Sequence, residues 1–386
     1  MVARVIVLAH ENPYKTGVTG GALEIKRRVT ALQEAGWHTE VFAVDSFIEP
    51  EAAAVNNNLF HLYKRECHVF RVMANPFLPW PVTTRYSIRM AQLLRDTYLG
   101  GSIVLFEGLQ MLKYLRLIRR SFPKPKAIIL RVHNIESDYH FSLSRSSVGF
   151  RKLLHAATGF QYRYLEKHFT EFDYLYFISK KELSIAVKRY NSLKSKAIWV
   201  PPIAEIKKSA HNVMPNHSFN ICYFGDLRVP SNYYGIKWFI SHAWTKVVKL
   251  IPNAVLHIAG HGSNKLNGPR ILGYGFVDKL DDFIRRCNVV VLPVFHGGGV
   301  KMKTIDTLGY GIPVIATPAA VEGTHFEDGN LIPVCNGPDE MVKALVNIYF
   351  NPAASLKKAE EIREILRKNY SPENFVRALG DVINAP

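Results

Sequence analysis

Two doubly wound α/β domains, one after the other, are what this 386-residue sequence predicts. Three observations carry the prediction. Short continuous runs of Val, Ile and Leu alternate with stretches of helical spacing, the pattern of strands buried on both faces of a parallel sheet. The alternation breaks once, over 201–217 (PPIAEIKKSAHNVMPNH), where proline-rich polar sequence without periodicity reads as a linker. Beyond the break, apolar runs repeatedly end in glycine: Gly225, then Gly260 and Gly262, then Gly273 and Gly275, then Gly297 to Gly299.

In the first half ARVIVLAH (3–10) reads as a strand, Gly20–Ala35 as a helix and TEVFAV (39–44) as a strand. Thr83–Tyr98 is helical, SIVLF (102–106) a buried strand, Met111–Phe122 helical and AIILRVH (127–133) a strand. Phe150–Phe169 is a long helix, and YLYFIS (174–179) and AIWV (197–200) close the half. In the second half FNICYFG (219–225), AVLHIAG (254–260), VVVLPV (289–294) and PVIAT (313–317) read as strands, and Asn232–Leu250 as a helix. Three helices follow, Pro338–Phe350, Pro352–Lys368 and Pro372–Ile383, each opened at a proline whose missing N–H costs nothing there. The expected domains are 1–202 and 217–369, with the last helix, 370–386, packing back on the first.

Hydrophobic content of 48% and 21% charge is ordinary for a soluble globular chain. No apolar run reaches the roughly 18–20 residues of a membrane span, and the first apolar run is too short for a signal peptide. The four cysteines show no CxxC pair, which argues against a disulfide framework or a zinc site and fits a reducing cytoplasm. Net charge is +17; residues 1–200 hold 29 Lys and Arg against 16 Asp and Glu, and residues 201–386 hold 20 against 16. The basic excess of the first half either attracts nucleic acid, an anionic membrane or a phosphorylated ligand, or only aids solubility. No nucleic-acid motif accompanies it, so nucleic acid is not the expected partner. Arg85, Arg89 and Arg95 interleave with Ile88, Met90 and Leu93, and Lys113, Arg116, Arg119 and Arg120 with Leu112, Leu115 and Ile118. Such helices either lie on an anionic membrane or pack on the sheet with solvated outer faces.

The segment HGGGVKMKTIDTLGYGIPVIATPAAVEG (296–323) is a glycine turn opening into a helix. Glycine lets backbone approach a ligand closely, and a helix start offers free N–H groups to an anion. Lys301 and Lys303 add charge, and Asp306 is the type of residue that accepts from sugar hydroxyls. Together they suggest a nucleotide, although no P-loop pattern is present. A second glycine turn, KTGVTGGALEIKRR (15–28), opens the first helix. RVHNIESDY (131–139) crowds Arg131, His133, Asn134 and Glu136 at a strand's carboxyl end, where ligands bind in such sheets. FEGLQ (106–110) brings Glu107 or Gln110 to a neighbouring strand end.

The 296–323 stretch resembles the GGGxxxKxxEAxxxGxPVxATxxGxEG segment of GT-B glycosyltransferases of the large retaining family 4. YFGDLRVPSNYYGIKWF (223–239) is similar to the first strand and Pro-x-Asn helix of that family's donor domain, and LGYGFVDKLDDFIRRCNVVVLPV (272–294) to its next conserved-order segment. RVHNIESDY resembles the family's His-Asn-[Ile/Val]-Glu in the acceptor domain, and FISKKE (177–182) its serine-containing strand-to-helix turn. The resemblance runs in order through nearly the whole chain. It implies a GT-B fold, two Rossmann-like domains facing across a cleft, and a retaining transfer of sugar from a nucleotide-sugar to a glycan or lipid-linked acceptor in cell-surface polysaccharide synthesis.

By the same resemblance Asp306 stands where the family has a ribose-binding glutamate. Lys301, Lys303, Gly298 and Gly299 face the donor sugar and diphosphate, Arg228 and Gly225 the diphosphate, and the backbone of Phe276 and Val277 the base. Gly20 and Gly21 approach the donor phosphate, and His133 lies beside the transferred sugar, so that His133, Lys303 and Arg228 are the implied catalytic groups. Glu107, Arg131, Asn134 and Glu136 fall on the acceptor side. The acidic residue that many members place eight positions before the ribose carboxylate is Gly298 here. No Asp-x-Asp occurs, so no metal or other cofactor is expected. The implied setting is cytoplasmic and peripheral to an anionic membrane. Two rivals stay open: a GT-B nucleotide-sugar epimerase, which would turn over free UDP-sugar, and a catalytically silent sugar- or nucleic-acid-binding protein on this fold.

Overall fold

Alternate residues of strand Arg4–Ala9 (β1) belong to different apolar clusters. Ile6 and Leu8 join one, Val5, Val7 and Ala9 another, and all are buried. Strand Ile103–Glu107 (β4) divides the same way, with Val104 and Phe106 on one face and Ile103 and Leu105 on the other. A strand buried on both faces needs helices above and below it, which makes the sheet doubly wound.

The computed structural model describes residues 3–15, 19–46, 59–65, 75–97, 99–207 and 218–384. Residues 208–217 of the expected linker 201–217, Tyr98 and Cys67 lie outside them. The chain divides into one unit of Met1–Ile203 with Ser371–Pro386 and a second of Ala204–Tyr370.

The first unit adds His38–Asp45 (β2), Phe60–Lys64 (β3), Ala127–Val132 (β5), Tyr174–Phe177 (β6) and Ala197–Trp199 (β7). The sheet runs β3-β2-β1-β4-β5-β6-β7, parallel throughout, with Glu107 opposite Arg131 where β4 meets β5. The last helix, Pro372–Asn384, buries Phe375, Leu379 and Val382 on the face that also holds helix Gly20–Glu34. Tyr176 donates its hydroxyl to Ala378 O at 2.6 Å there.

The second unit's strands are Phe219–Phe224 (β8), Ala254–Ala259 (β9), Ile271–Gly273 (β10), Val289–Leu292 (β11) and Val314–Ala316 (β12), in the order β10-β9-β8-β11-β12, again parallel. At its centre Gly260 takes φ +119°, and a Cβ added there would stand 2.1 Å from Gly225 O. Both observations exclude any other residue. Gly260→Ala should therefore lower the stability of this unit by about 2–5 kcal/mol; a melting temperature equal to the parent's would contradict this crossing of backbones.

Several elements depart from the sequence reading. The helix expected over 83–98 is two, Trp80–Thr84 and Ile88–Asp96, because Ser87 caps the second by accepting from Met90 N. The helix expected over 111–122 is a tight turn, Leu109–Tyr114, followed by the short helix Leu115–Arg119. Met90, Leu115 and Ile118 belong to the core, so the two basic segments turn those apolar residues inward and leave few for a membrane. A helix at Glu136–Ser146 and strand β3 were not anticipated, and strand β10 was signalled only by the glycines at its end.

The cysteine expectation is also corrected. Pairing of β8 with β11 sets Ile221 opposite Val289, which brings Cys222 and Cys287 together in a disulfide with Cα atoms 5.8 Å apart. The two are 65 residues apart in sequence, so spacing did not reveal them. Cysteine usage thus gives no argument for a reducing compartment. Among the described residues no helix is long and apolar enough to cross a membrane.

Candidate active site

In the first unit, charged side chains gather at the carboxyl ends of β1, β4 and β5. Helix Gly20–Glu34, capped by Thr19 accepting from Ala22 N, carries Glu24 and Arg28 one turn apart. Arg28 lies between the carboxylates of Glu24 and Glu107, with Nη2 2.5 Å from Glu107 Oε2. Arg131 Nη2 reaches Glu24 Oε1 at 2.8 Å. His133 Nε2 stands 3.0 Å from Glu107 Oε2, and its Nδ1 3.7 Å from Glu24 Oε2. Glu107 only accepts when ionised, so Nε2 carries the proton and Nδ1 presents its lone pair.

Burial lowers the His133 pKa and keeps the ring neutral, with Glu107 only partly opposing. Burial by itself would raise the Glu107 carboxyl, but Arg28 and His133 outweigh it and hold the group well below the usual carboxylate range. Burial draws both Arg28 and Arg131 down to about 10, which leaves them charged at neutral pH.

Arg131 does not fit the acceptor-side role. It is wholly buried, and its guanidinium is occupied by Glu24 and by the carbonyls of Val200 (2.5 Å) and Pro201 (3.2 Å). A strand-end residue can point inward or outward, and this one points inward. Glu107 is likewise 1% exposed and accepts from His133 Nε2 at 3.0 Å. Glu136 accepts from Gln110 Nε2 at 3.1 Å, and burial raises its carboxyl. The turn between His133 and Glu136, which holds Asn134, is tied down by Ile135 N donating to Glu182 Oε1 at 3.1 Å. Gly20 and Gly21 open helix Gly20–Glu34, and a Cβ at Gly21 would stand 2.6 Å from Glu11 Oε1.

Sequence reasoning missed His10, Glu24, Arg28 and Arg85. His10 directly follows β1, donates from Nδ1 to Glu107 O at 2.5 Å, and has its ring 6.0 Å from that of His133. Burial and the nearby Arg85 lower its pKa to about 4. The signals were present: a histidine at a strand's carboxyl end, and Glu-x-x-x-Arg one turn apart in a helix after a glycine turn.

Glu24, Glu107 and His133 bring potential ligand atoms within 4.8 Å of one another. Two buried guanidiniums already neutralise the two carboxylates. A metal cation added there would face Arg28 and Arg131 at close range, so the donor set does not suit a metal.

In the second unit the groups gather where β8, β9 and β11 end. Lys301 caps helix Met302–Gly309, whose first turn carries no acidic residue. Lys303 lies inside that turn. Its Nζ is buried without a hydrogen-bond partner, 3.9 Å from the Tyr223 ring centre and 5.1 Å from that of Phe224. Burial pulls this ammonium down to about 7. A Cβ at Gly225 would stand 3.0 Å from Lys303 Nζ, so the glycine clears room for the lysine. Asp306 lies one turn beyond, on the same helix.

Lys301 donates to Gly299 O at 2.7 Å and stands 3.9 Å from Glu322, a partner the sequence reading did not identify. Gly297 and Gly299, on either side of Gly298, take positive φ. Arg228 is exposed and bonded to Asp226 at 2.7–3.1 Å; such a surface pair is cheap to break. Phe276 is exposed and stacks on His261 at 4.7 Å, with Val277 beside it in the loop after β10. A buried, unpaired cation beside glycine backbone and a helix start is a place for an anion.

Residues 218–351 match the family model described as glycosyl transferases group 1. A curated relative, an uncharacterized 44.6 kDa protein in the cps region of Klebsiella pneumoniae, is 24% identical over 98% of this chain and 99% of its own. Among solved structures, a mutant S. aureus TarM in complex with Fondaparinux, alpha-GlcNAc-glycerol and UDP matches with TM-score 0.67 at 10% identity, over 100% of both chains. The lipopolysaccharide outer core galactosyltransferase WaaB matches with TM-score 0.62 at 15% identity, over 98% of this chain and 99% of that one. Residues 218–351 thus match the glycosyl transferases group 1 family, and the chain shares the GT-B fold of these solved glycosyltransferase structures.

Proposed function

We propose that the protein transfers a sugar, with retention of anomeric configuration and without a metal ion, from a nucleotide diphosphate donor to a glycan or lipid-linked acceptor of a cell-surface polysaccharide. The observation that carries this reading is the Lys303 ammonium, buried without a hydrogen-bond partner at the glycine-lined end of β8. A leaving diphosphate supplies the charge it lacks. The group 1 match supports the nucleotide-sugar donor, UDP in the TarM complex supports uracil as the base, and the cps-region relative supports the polysaccharide setting. An acceptor of this kind is met at an anionic membrane surface.

In this reading the amides of Gly298 and Gly299, the start of helix Met302–Gly309, Lys301 and Lys303 hold the diphosphate. Arg228 leaves Asp226 to join them. Asp306 accepts from the ribose, and the Phe276–Val277 backbone meets the base. His133, neutral and fixed by Glu107, accepts from a hydroxyl of the transferred sugar through Nδ1. The protein stabilises charge as it develops on the leaving group, which is where binding raises rate.

Two variants separate the halves. Asp306→Ala removes a charged acceptor worth roughly 1.5–3 kcal/mol and should weaken nucleoside diphosphate binding by about 10- to 100-fold. His133→Ala should leave that binding unchanged and depress transfer. Calorimetry beside a transfer assay reads both. An Asp306→Ala protein that binds like the parent would contradict the donor placement, and full activity in His133→Ala would make the strand end structural.

A further inference from the structure

Helix Phe150–Leu165 has two apolar faces. One, with Thr158, Gly159, Tyr162 and Leu165, is buried. The other is a stripe of Phe150 (77% exposed), Leu153 (68%), Leu154, Phe160 (67%) and Tyr164 (57%), continued by Val148 (86%) at the turn before it. These positions recur at helical spacing along one side, and nothing else in the chain exposes so many large apolar side chains on a single described element. Gln161 Nε2 donates to Pro76 O at 2.6 Å, which brings exposed Phe77 close to the same helix. A hollow of about 300 Å³ opens at the helix's end, lined by Leu78, Val82, Leu112, Leu165, the basic Lys113 and Arg116, and Glu171, whose carboxylate is held by His168.

Charge on this projection has one sign outward. Arg145, Arg151, Lys152 and Lys167 are exposed, and among the described residues none pairs with an acid. The acids of helices Glu136–Ser146 and Phe150–Leu165 are engaged elsewhere: Glu136 with Gln110, and Asp138 with Arg163 and Arg189.

We infer that this helical hairpin, 136–165, inserts its outer stripe into the interface of an anionic lipid bilayer. Phe, Leu and Tyr on one face flanked by Arg and Lys is the composition of an interfacial helix, in which the rings enter the acyl boundary and the cations meet phosphates. A second copy fits poorly, because a two-fold interface would set this patch against itself and oppose its cations. A protein partner's interface core would be poor in lysine. The inference rests on the acceptor-at-a-membrane reading above, and it assigns the inserted apolar side chains to helix Phe150–Leu165 rather than to the basic segments at 85–95 and 112–120.

The test is co-sedimentation of the full chain with vesicles of phosphatidylcholine and phosphatidylglycerol, against phosphatidylcholine alone. The parent should bind the anionic vesicles at low salt. Phe150→Ser with Phe160→Ser, and separately Arg151→Glu with Lys152→Glu, should each weaken binding at least about tenfold. All four positions are exposed, so melting temperature and stabilisation by nucleoside diphosphate should match the parent's. No binding by the parent, or binding by either variant equal to the parent's, would overturn the inference. So would a parent that is dimeric in solution and becomes monomeric on Phe150→Ser. Loss of nucleotide binding with vesicle binding intact would instead count against the transferase reading alone.

Discussion

Lys303→Met should lower the transfer rate by about 10²- to 10³-fold, the loss expected when one preorganised group facing developing charge is removed. Methionine keeps the length and the contacts with Tyr223 and Phe224 while deleting the charge. Nucleoside diphosphate affinity should fall less than the rate, because the ammonium is needed most as negative charge builds on the leaving group. The pH dependence has a definite sign. Burial lowers this lysine to about 7 in the free protein, so at pH 8 most of it is neutral. A bound diphosphate favours the ammonium and raises the pKa again. Binding above pH 7 therefore takes up a proton, and affinity should fall as pH rises until the bound-state pKa is passed. A Lys303→Met enzyme with parental rate would remove the group from the mechanism.

Arg28→Met should destabilise the first unit by about 3–5 kcal/mol, the cost of leaving a buried charge without its partner. For a unit of this size that lowers the melting temperature by roughly 6–20 °C. The reason is local: Arg28 is wholly buried and separates Glu24 from Glu107. Without it two carboxylates face each other in the interior. Adding Glu107→Gln should restore part of the loss, since one of the two charges is then gone. His10 supplies a related pH effect. It stays neutral in the fold down to about 4 but charges below about 6.5 in the unfolded chain. The unfolded chain binds more protons across that window, so stability falls as pH drops through it. Equal melting of Arg28→Met and parent would show that the network contributes little.

The parts of this molecule that were legible in the sequence are those with local causes. Ile6 to Leu8 and Val289 to Leu292 announce buried strands because every residue is apolar. Gly225, Gly260 and the 297–299 run mark strand exits because backbone crosses there. The strand Phe60–Lys64 carries no such signal: it lies at the sheet edge and only partly buries its residues. Cys222 and Cys287 meet only through strand register. Arg28 and Glu107, 79 residues apart, meet only through the packing of a helix on the sheet. Spacing shows that Met90, Leu115 and Ile118 alternate with basic residues, but not that the core lies on their side. The outer stripe of helix Phe150–Leu165 has the same kind of spacing and the opposite fate.

The central claim is that the second unit binds a nucleotide diphosphate against Lys303. Titration calorimetry of the full chain with uridine diphosphate at pH 8, in two buffers of different ionisation enthalpy, tests it most directly. The account predicts binding accompanied by uptake of close to one proton in the parent and none in Lys303→Met. Absence of binding, or equal proton uptake in the two proteins, would contradict it.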